Sequence, residues 1–562
     1  MSKIILGNDK LKLEYSLLDL PTAQHKAGLA GLLVMIESMK LRKISPLPEM
    51  DISPTGAAVC FTKESLQMVF DDLFDAELVE KQPSTKWKDQ APKKIIEVEV
   101  EVNGKKKKQK RFVYDAVQPN GAFLQTYFSD GNGLWIKLWR DMLWNILRGI
   151  PATRKVYEER AKGISSSEAE RAWQAFSKAN KLRKKGVMLT EKLTSSLFLG
   201  AEADNPEKVP FIDTVENGFL LLFWSVVSLI HVPRELKIER LDDRLRISNR
   251  NELGYVLSIP GPFDLQAFVL DIMDVLKSLV AEKSGFRPCA ALIDVFEESG
   301  LEYLYRFARK KADDTDAFTL SLNAVEIYHI QKQGNRIRQL ASERILPKPD
   351  MIADYEKARG SYKNPFYKRI YLANLIAGLS WFTYAEAVFQ NEPSPVFVFS
   401  GKTPTEIRFF GKDVRQKFNM IAGNLEIKKE GGLMTEKDQD DQLALRVYRL
   451  LQNYIWRRTE EKSGIKFDQF KNNKTDKGHI SYPRAYAEAL EKVCSDAFLA
   501  MRGRRDQDFV EYFTGTICSV PHFLPETEFL SVAKDLMENW QKIKTLSMLA
   551  ISANSYLSNQ TE

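Results

Sequence analysis

Cysteine is scarce in this chain. The four residues, Cys60, Cys289, Cys494 and Cys518, lie far apart in a sequence of 562. No close pair exists, so neither a disulfide framework nor a thiolate zinc site is expected, and a reducing cytoplasm suits the composition. Histidine is nearly as rare. His25, His231, His329, His479 and His522 have no acidic or cysteine partner at metal-ligand spacing, and no HExxH motif occurs. Long apolar runs are also missing. The longest, 219–230, is too short to span a bilayer and reads as part of a buried helix over 211–232. The first residues lack the apolar core of a signal peptide, so no membrane partner is expected. No GxSxG elbow, repeat period or low-complexity segment is present.

Two segments imitate binding motifs without completing them. Ser400-Gly401-Lys402-Thr403 follows an expected strand at 396–399 and resembles the end of a phosphate-binding loop. Val396 stands where that loop needs its first glycine, so the backbone cannot wrap a phosphate in the usual way. Asp242-Asp243 and the Asp313, Asp314, Asp316 group sit in polar, turn-like stretches and read as solvated turns rather than magnesium sites. The residues propose no catalytic centre, no metal and no cofactor.

What the chain does have is basic charge and two kinds of periodicity. The net charge is +7. Residues 434–562 are near neutral, with 18 basic and 19 acidic side chains, whereas the first 433 hold 64 and 56. The surplus in the body favours a polyanionic partner. An α+β fold is expected: a mainly helical body over 1–430 with small sheets and a basic hairpin, followed by an all-α bundle over 434–562.

In the body, 11–15 reads as a strand, and Thr22 caps a helix whose Leu29, Leu32, Leu33 and Ile36 form an apolar face. Gly28 and Gly31 allow that helix to pack closely. A short strand at 57–62 leads into a helix capped by Thr62 or Ser65 and carrying Leu66, Val69, Phe70 and Leu73. The clearest hairpin is 95–115, where Ile96, Val98, Val100 and Val102 alternate with Glu97, Glu99 and Glu101 around an Asn103-Gly104 turn. The returning arm carries Lys105, Lys106, Lys107, Lys108, Lys110 and Arg111. These residues can face the glutamates across the hairpin or meet phosphates.

Asn132 lies between Gly131 and Gly133 in a tight loop. Trp135, Leu138, Trp139, Met142, Leu143 and Ile146 follow at helical spacing and read as core. Residues 152–192 hold eleven basic and five acidic side chains. Two polar helices flanking Ser165-Ser166-Ser167 fit that stretch, and Lys181, Arg183, Lys184 and Lys185 form its basic end. A solvated face and a nucleic-acid contact both account for them. A long apolar helix is expected over 363–390.

After Lys428-Lys429-Glu430-Gly431-Gly432-Leu433-Met434, helical periodicity is unbroken through five helices. Arg457 and Arg458 form one basic pair there, and Arg502, Arg504 and Arg505 cluster at a helix end. Lys-Lys-Glu-Gly can be encoded by a purine run resembling a bacterial ribosome-binding site. The junction then reads as a linker, with Met434 as a candidate second start.

Several stretches resemble one family. Leu17-Leu18-Asp19-Leu20-Pro21-Thr22-Ala23-Gln24-His25-Lys26-Ala27-Gly28-Leu29-Ala30-Gly31-Leu32 is similar to the start of the large subunit of type I CRISPR Cascade complexes, in the subtype A/B and myxobacterial-like branch. Trp139-Arg140, Leu147-Arg148-Gly149-Ile150-Pro151, Arg504-Arg505-Asp506-Gln507-Asp508-Phe509-Val510-Glu511-Tyr512-Phe513 and Cys518-Ser519-Val520-Pro521 look similar too.

The resemblance implies a non-enzymatic subunit at the foot of a crRNA filament. Its expected partners are crRNA, the handle-binding and filament subunits, the small subunit, double-stranded target DNA and the displaced single strand. A nuclease-helicase or a transposition factor would be recruited downstream. The implied roles are reading the short PAM beside the target and helping to open the strands. The C-terminal bundle resembles the separate small subunit, which relatives also make from an internal start. Base pairing with the guide reads the sequence in such complexes, and protein reads PAM and backbone shape.

On that basis Lys105 to Lys108, Lys110, Arg111, Lys181 and Arg183 to Lys185 are candidates for duplex or crRNA backbone contacts. Asn132 is the candidate for base edges, since an amide both donates and accepts. Arg457, Arg458, Arg502, Arg504 and Arg505 are candidates for the displaced strand. Two other readings stand beside this one: a nucleic-acid-processing enzyme with an unrecognised metal site, and a pure protein scaffold. Replacing the Met434 codon by a leucine codon is expected to remove a separate 434–562 product from an immunoblot and leave the full-length chain. If the unaltered gene makes no such product, the junction is only a hinge.

Overall fold

The computed structural model describes residues 3–7, 10–87, 90–102, 105–201, 209–235, 238–241, 244–247, 251–311, 321–334, 336–360, 364–391, 410–428, 436–474, 480–522 and 524–557. The Asn103-Gly104 turn, Asp242-Asp243, the Asp313 to Asp316 group, the 396–403 segment and the Gly431 to Met434 junction lie outside them. Two compact units emerge, one of residues Met1–Glu235 and Arg250–Ile352, the other of Leu236–Asn249 and Ala353–Glu562.

The first unit is mixed, as expected for an α+β fold. Strands β1 (Lys3–Leu6), β2 (Leu11–Ser16), β3 (Glu49–Ser53) and β4 (Gly56–Phe61) form an antiparallel sheet in the order β1-β2-β4-β3. Leu11, Leu13 and Tyr15 alternate inward along β2, which sets its register against Phe61, Val59 and Ala57 of β4. Between β2 and β3 runs helix α1 (Ala23–Leu41). Thr22 caps it, accepting from the His25 amide.

The apolar face expected of α1 proves to be its whole circumference. Leu29, Leu32, Leu33, Val34 and Met35 are all fully buried, as a helix hydrophobic all round must be. Helix α2 (Lys63–Leu73) follows β4 with a reciprocal cap, in which Thr62 and Ser65 each bond the other's backbone.

Strands β5 (Ala76–Lys81), β6 (Lys94–Val102) and β7 (Lys105–Pro119) make a second sheet in the order β5-β7-β6. Helix α3 (Leu134–Met142) buries Trp135, Leu138 and Trp139 and continues into a π-turn at Leu143–Leu147. A polar helix at Pro151–Arg160 and α4 (Ser167–Arg183, capped by Ser166) occupy the basic stretch.

The apolar segment 211–232 is not the single helix expected. It opens with a short strand, Ile212–Thr214, paired antiparallel with Thr190–Lys192, and then forms helix α5 (Val215–Leu220), a 3₁₀ turn at Trp224–Val226, and strand β8 (Leu229–Glu235). The reason lies in α1. A Cβ at Gly28 would sit 2.2 Å from the Leu220 carbonyl oxygen, and one at Gly31 would sit 2.1 Å from that of Phe223. The segment unwinds along the glycine face of α1. Phe219 then packs edge-on or tilted against Phe61, Phe70, Phe176 and Phe223 in one aromatic cluster.

Strands β9 (Ile238–Leu241) and β10 (Arg244–Ile247) form a hairpin counted with the second unit. Strands β11 (Asn251–Glu252), β12 (Tyr255–Pro262), β13 (Lys283–Ser284), β14 (Arg287–Pro288), β15 (Leu292–Ile293), β16 (Leu322–Gln333) and β17 (Arg336–Ile345) complete the first unit. Its third sheet runs β11-β8-β12-β16-β17, with β15 parallel to β8. Strand β12 is buried along its whole length and lies against α1. Helix α7 (Glu298–Lys311) packs on this sheet, and α6 (Leu265–Lys277) packs against α7, α1 and strand β3. Ser299 of α7 bridges Ser258 and His231 in the core at 2.6 and 2.7 Å.

Among the described residues the second unit is helical apart from that hairpin and an isolated bridge between Lys474 and Ile480. The helix expected over 363–390 is two helices, α8 (Pro365–Ala377) and α9 (Ala385–Asn391). Gly378 ends α8 in a left-handed C-cap at φ 73, a conformation that costs any other residue. Helices α10 (Gly411–Lys428), α11 (Glu436–Ser463), α12 (Arg484–Arg502), α13 (Asp506–Tyr512), α14 (Glu526–Glu538) and α15 (Trp540–Ser555) follow, and α11 to α15 match the five helices expected after Met434.

The central helix is α15. Its Lys544 side chain is fully buried and donates to Glu386 at 2.9 Å and to the Arg504 carbonyl at 2.7 Å. Helices that precede position 434 join this bundle: Phe418 of α10 stacks on Tyr448 of α11, and Arg415 donates to the Tyr556 carbonyl at 2.8 Å.

Gly31→Ala is expected to destabilise the first unit by about 1–3 kcal/mol or more in denaturant unfolding, because α1 must be pushed from its neighbour. Gly423→Ala, at an exposed helical site with open space around it, should instead stabilise by roughly 0.4–1 kcal/mol.

Candidate nucleic-acid interface

The Gly-flanked loop before α3 is built by its own side chains. Asp130 turns back to accept from the Leu134 amide at 2.6 Å and the Trp135 amide at 3.3 Å, capping α3. Gly133 is needed there, since a Cβ would meet the Asp130 carboxylate at 2.3 Å. Asn132 is exposed, and its carbonyl oxygen accepts from Arg140 at 2.7 Å. That guanidinium is buried and also donates to the carbonyls of Pro119 and Asn120, at 2.6 and 2.8 Å. Burial lowers its pKa, and Glu77 opposes the shift. Arg140 thus holds the loop against the end of β7 and leaves the Asn132 amide facing outward.

Sequence reasoning placed Arg140 only within a family-like stretch and gave it no role. A buried arginine eight residues after an asparagine carries no periodic signal. Lys137, exposed on α3, was also missed.

The basic hairpin pairs as its alternation suggested. Glu97 faces Lys110, Glu99 faces Lys108 and Glu101 faces Lys106 across β6 and β7. Arg111, half-buried, donates to the Gln82 carbonyl at 3.3 Å. Lys108 and Lys110 are exposed. Lys105, Lys106 and Lys107 are strand positions on β7 whose side chains lie outside the described residues. The strand runs from these lysines to Pro119, which at about 3.3 Å per residue is roughly 40 Å. The Lys105 end of β7 is therefore far along the strand from the Pro119 end, against which Arg140 holds the Asn132 loop.

At the end of α4, Lys181, Lys184 and Lys185 are exposed. Arg183 is not like them. It pairs with Glu216, whose side chain is 2% exposed, and Tyr15 donates to the Glu216 backbone carbonyl at 2.9 Å. Arg183 is a counter-ion inside the fold.

In the second unit the structure brings two distant arginines together. Arg458 of α11 lies over Tyr454 at 5.8 Å, and Arg504 lies over Tyr512 at 4.7 Å. The two tyrosines interact through their hydroxyls; burial first, then Tyr454, pushes the Tyr512 pKa above its ordinary range. Both guanidiniums have carboxylate partners, Glu461 at 2.9 Å for Arg458 and Asp508 for Arg504. Arg502 donates to the Gln390 carbonyl at 3.1 Å.

Arg457 and Arg505 are exposed. Arg505 lines an open groove of about 740 Å³ together with Tyr384, Asp440, Trp540 and Lys542. Tyr384 and Asp506 line the same groove with left-handed backbones, at φ 62 and 47, a strain non-glycine residues rarely carry.

Among the described residues, no three His, Cys, Asp or Glu side chains converge to hold a metal ion. Among the same residues, no helix is long and apolar enough to cross a membrane.

Comparison with known families adds a finding to this geometry. The model of the Type I-B CRISPR Cas8b N-terminal domain matches residues 47–317, and that of the Type I-B CRISPR Cas8b C-terminal domain matches residues 322–554. No curated protein matches the chain.

Proposed function

This chain belongs to the family of type I CRISPR large subunits, and on that premise we propose that it binds PAM-proximal target DNA in a Cascade complex. In this reading it acts without catalysis, supports strand opening and guides the displaced strand in the cytoplasm. The observation that carries the reading is the tandem match of both domain models, in order, over nearly the whole chain. Their Type I-B descriptions support the subtype A/B part of the assignment. The remaining parts of the proposal are the partners: crRNA, the handle-binding and filament subunits, small-subunit copies, and a recruited nuclease-helicase or transposition factor.

The chemistry of the surface supports a division of labour. The outward amide of Asn132 offers donors to a base edge while Arg140 fixes its position, the kind of preorganisation that base readout requires. Lys108, Lys110, Lys181, Lys184 and Lys185 are exposed cations suited to backbone phosphates, which supply affinity rather than sequence. In the second unit, Arg457 and Arg505 are the exposed guanidiniums for the displaced strand, and Tyr384 beside Arg505 offers a ring for a base. Arg183 acts through the fold rather than on phosphate.

Replacing Lys105 to Lys108 with alanine is expected to weaken target binding by the assembled complex and to flatten its salt dependence. The slope of log affinity against log salt should fall by up to about 3–4 if all four lysines neutralise phosphates. An unchanged slope would remove the hairpin from the interface. Binding that persists after all the exposed basic groups above are neutralised would favour a pure scaffold.

A further inference from the structure

A short hairpin stands beside the Asn132 loop and presents an aromatic ring that the fold does not use. Strands β13 and β14 pair Lys283 with Pro288 and Ser284 with Arg287. A two-residue turn joins them, with Gly285 at φ 64 and nothing near it. The other turn residue, Phe286, is 67% exposed.

Its neighbour Arg287 is almost fully buried and triply anchored. It donates to Asp141 of α3 at 2.8 Å and to Glu252 at 3.2 Å, and it lies over the Tyr255 ring. The same guanidinium sits 4.7 Å from the centroid of the Phe286 ring. Phe286 is therefore held in place through one ring face, and the other face is open.

The surroundings suit a nucleic acid. Lys283 is exposed at the base of the hairpin, and Lys137 is exposed one helical turn before Asp141, on the same side of α3. The chain entering the hairpin is stitched to the Asn132 loop. Ser129 donates to the Leu279 carbonyl, and the Trp135 indole donates to the Val280 carbonyl at 2.8 Å. Loop, helix and hairpin thus form one local surface that carries an amide, two lysines and a fixed aromatic face.

We infer that Phe286 is a one-sided stacking platform for the terminal base of target DNA where the duplex opens beside the Asn132 loop. An intercalating wedge needs both faces of its ring, because it separates two base pairs. Phe286 has only one to give, since Arg287 occupies the other. It can end a stack but cannot sit inside one. Stacking of this kind tolerates any base, so the platform adds opening power without adding sequence preference.

The inference rests on the DNA-binding role proposed above, and the test separates the two. The complex is assembled from the full chain, its partner subunits and guide RNA. Target DNA carries 2-aminopurine at the first opened position. Phe286→Ala should slow opening of fully paired target by about tenfold, the scale of one lost base–aromatic stack. Target with a pre-opened bubble at that position should bind as it does to the parent complex, and Phe286→Trp should retain opening. Opening of paired target by F286A at the parent rate would overturn the inference. So would a defect confined to subunit assembly, which would assign Phe286 to a protein contact. If the parent complex binds no target in either form, the DNA-binding reading itself fails, and this inference falls with it.

Discussion

Two positions on α1 can hold no side chain, because the carbonyls of Leu220 and Phe223 lie where the Cβ atoms of residues 28 and 31 would be. This close approach organises the first unit. It lets a helix buried on every side run between the 215–226 segment and strand β12. It also brings Phe219 and Phe223 into the aromatic cluster over α2 and α4. The candidate DNA-facing loop inherits its place from the same helix. Tyr127 donates to the Val34 carbonyl at 2.9 Å, and Thr126 meets Ser38 at 2.8 Å, just before the chain turns into Ser129. A helix that shifted outward would carry those anchors with it.

The basic surplus of the chain is divided between two uses. Some cations are internal fastenings: Arg140 on three oxygens, Arg183 on Glu216, Arg287 on Asp141 and Glu252, and Lys544 on Glu386 and two carbonyls. The buried Glu216 shows the cost most plainly: removing Arg183 would leave its carboxylate stranded. Others, such as Lys108, Lys184, Lys185, Arg457 and Arg505, are exposed. Only this second set can exchange counterions with a polyanion, so only it should shape salt dependence. Simple charge counting along the sequence merges the two sets.

What was legible in the sequence was local. Thr22 and the Thr62/Ser65 pair announced helix starts through side-chain chemistry within three residues. The glutamate–valine alternation announced β6, and the one-sided spacing after position 434 announced five helices. The misreadings arose where the deciding contact was distant or conformational. The 211–232 run is apolar in every direction, and such a run cannot show whether it is helix or strand until its neighbour is known. Its neighbour is α1, nearly two hundred residues earlier. The helix expected over 363–390 contains Gly378, which closes α8 with a left-handed turn. Phe286 and Arg287 carry no periodic signal, and their pairing with α3 bridges some 146 residues of sequence.

Membership of the type I CRISPR large subunits sets the context in which these surfaces work. We propose that the 129–133 loop meets duplex DNA beside the guide-paired segment. A photoreactive amino acid in place of Asn132, irradiated in the assembled complex bound to target, tests it most directly. Crosslinks are expected to the duplex immediately beside the guide-paired segment, lost when that flanking sequence is scrambled. Crosslinks confined to protein subunits or to the crRNA would contradict it.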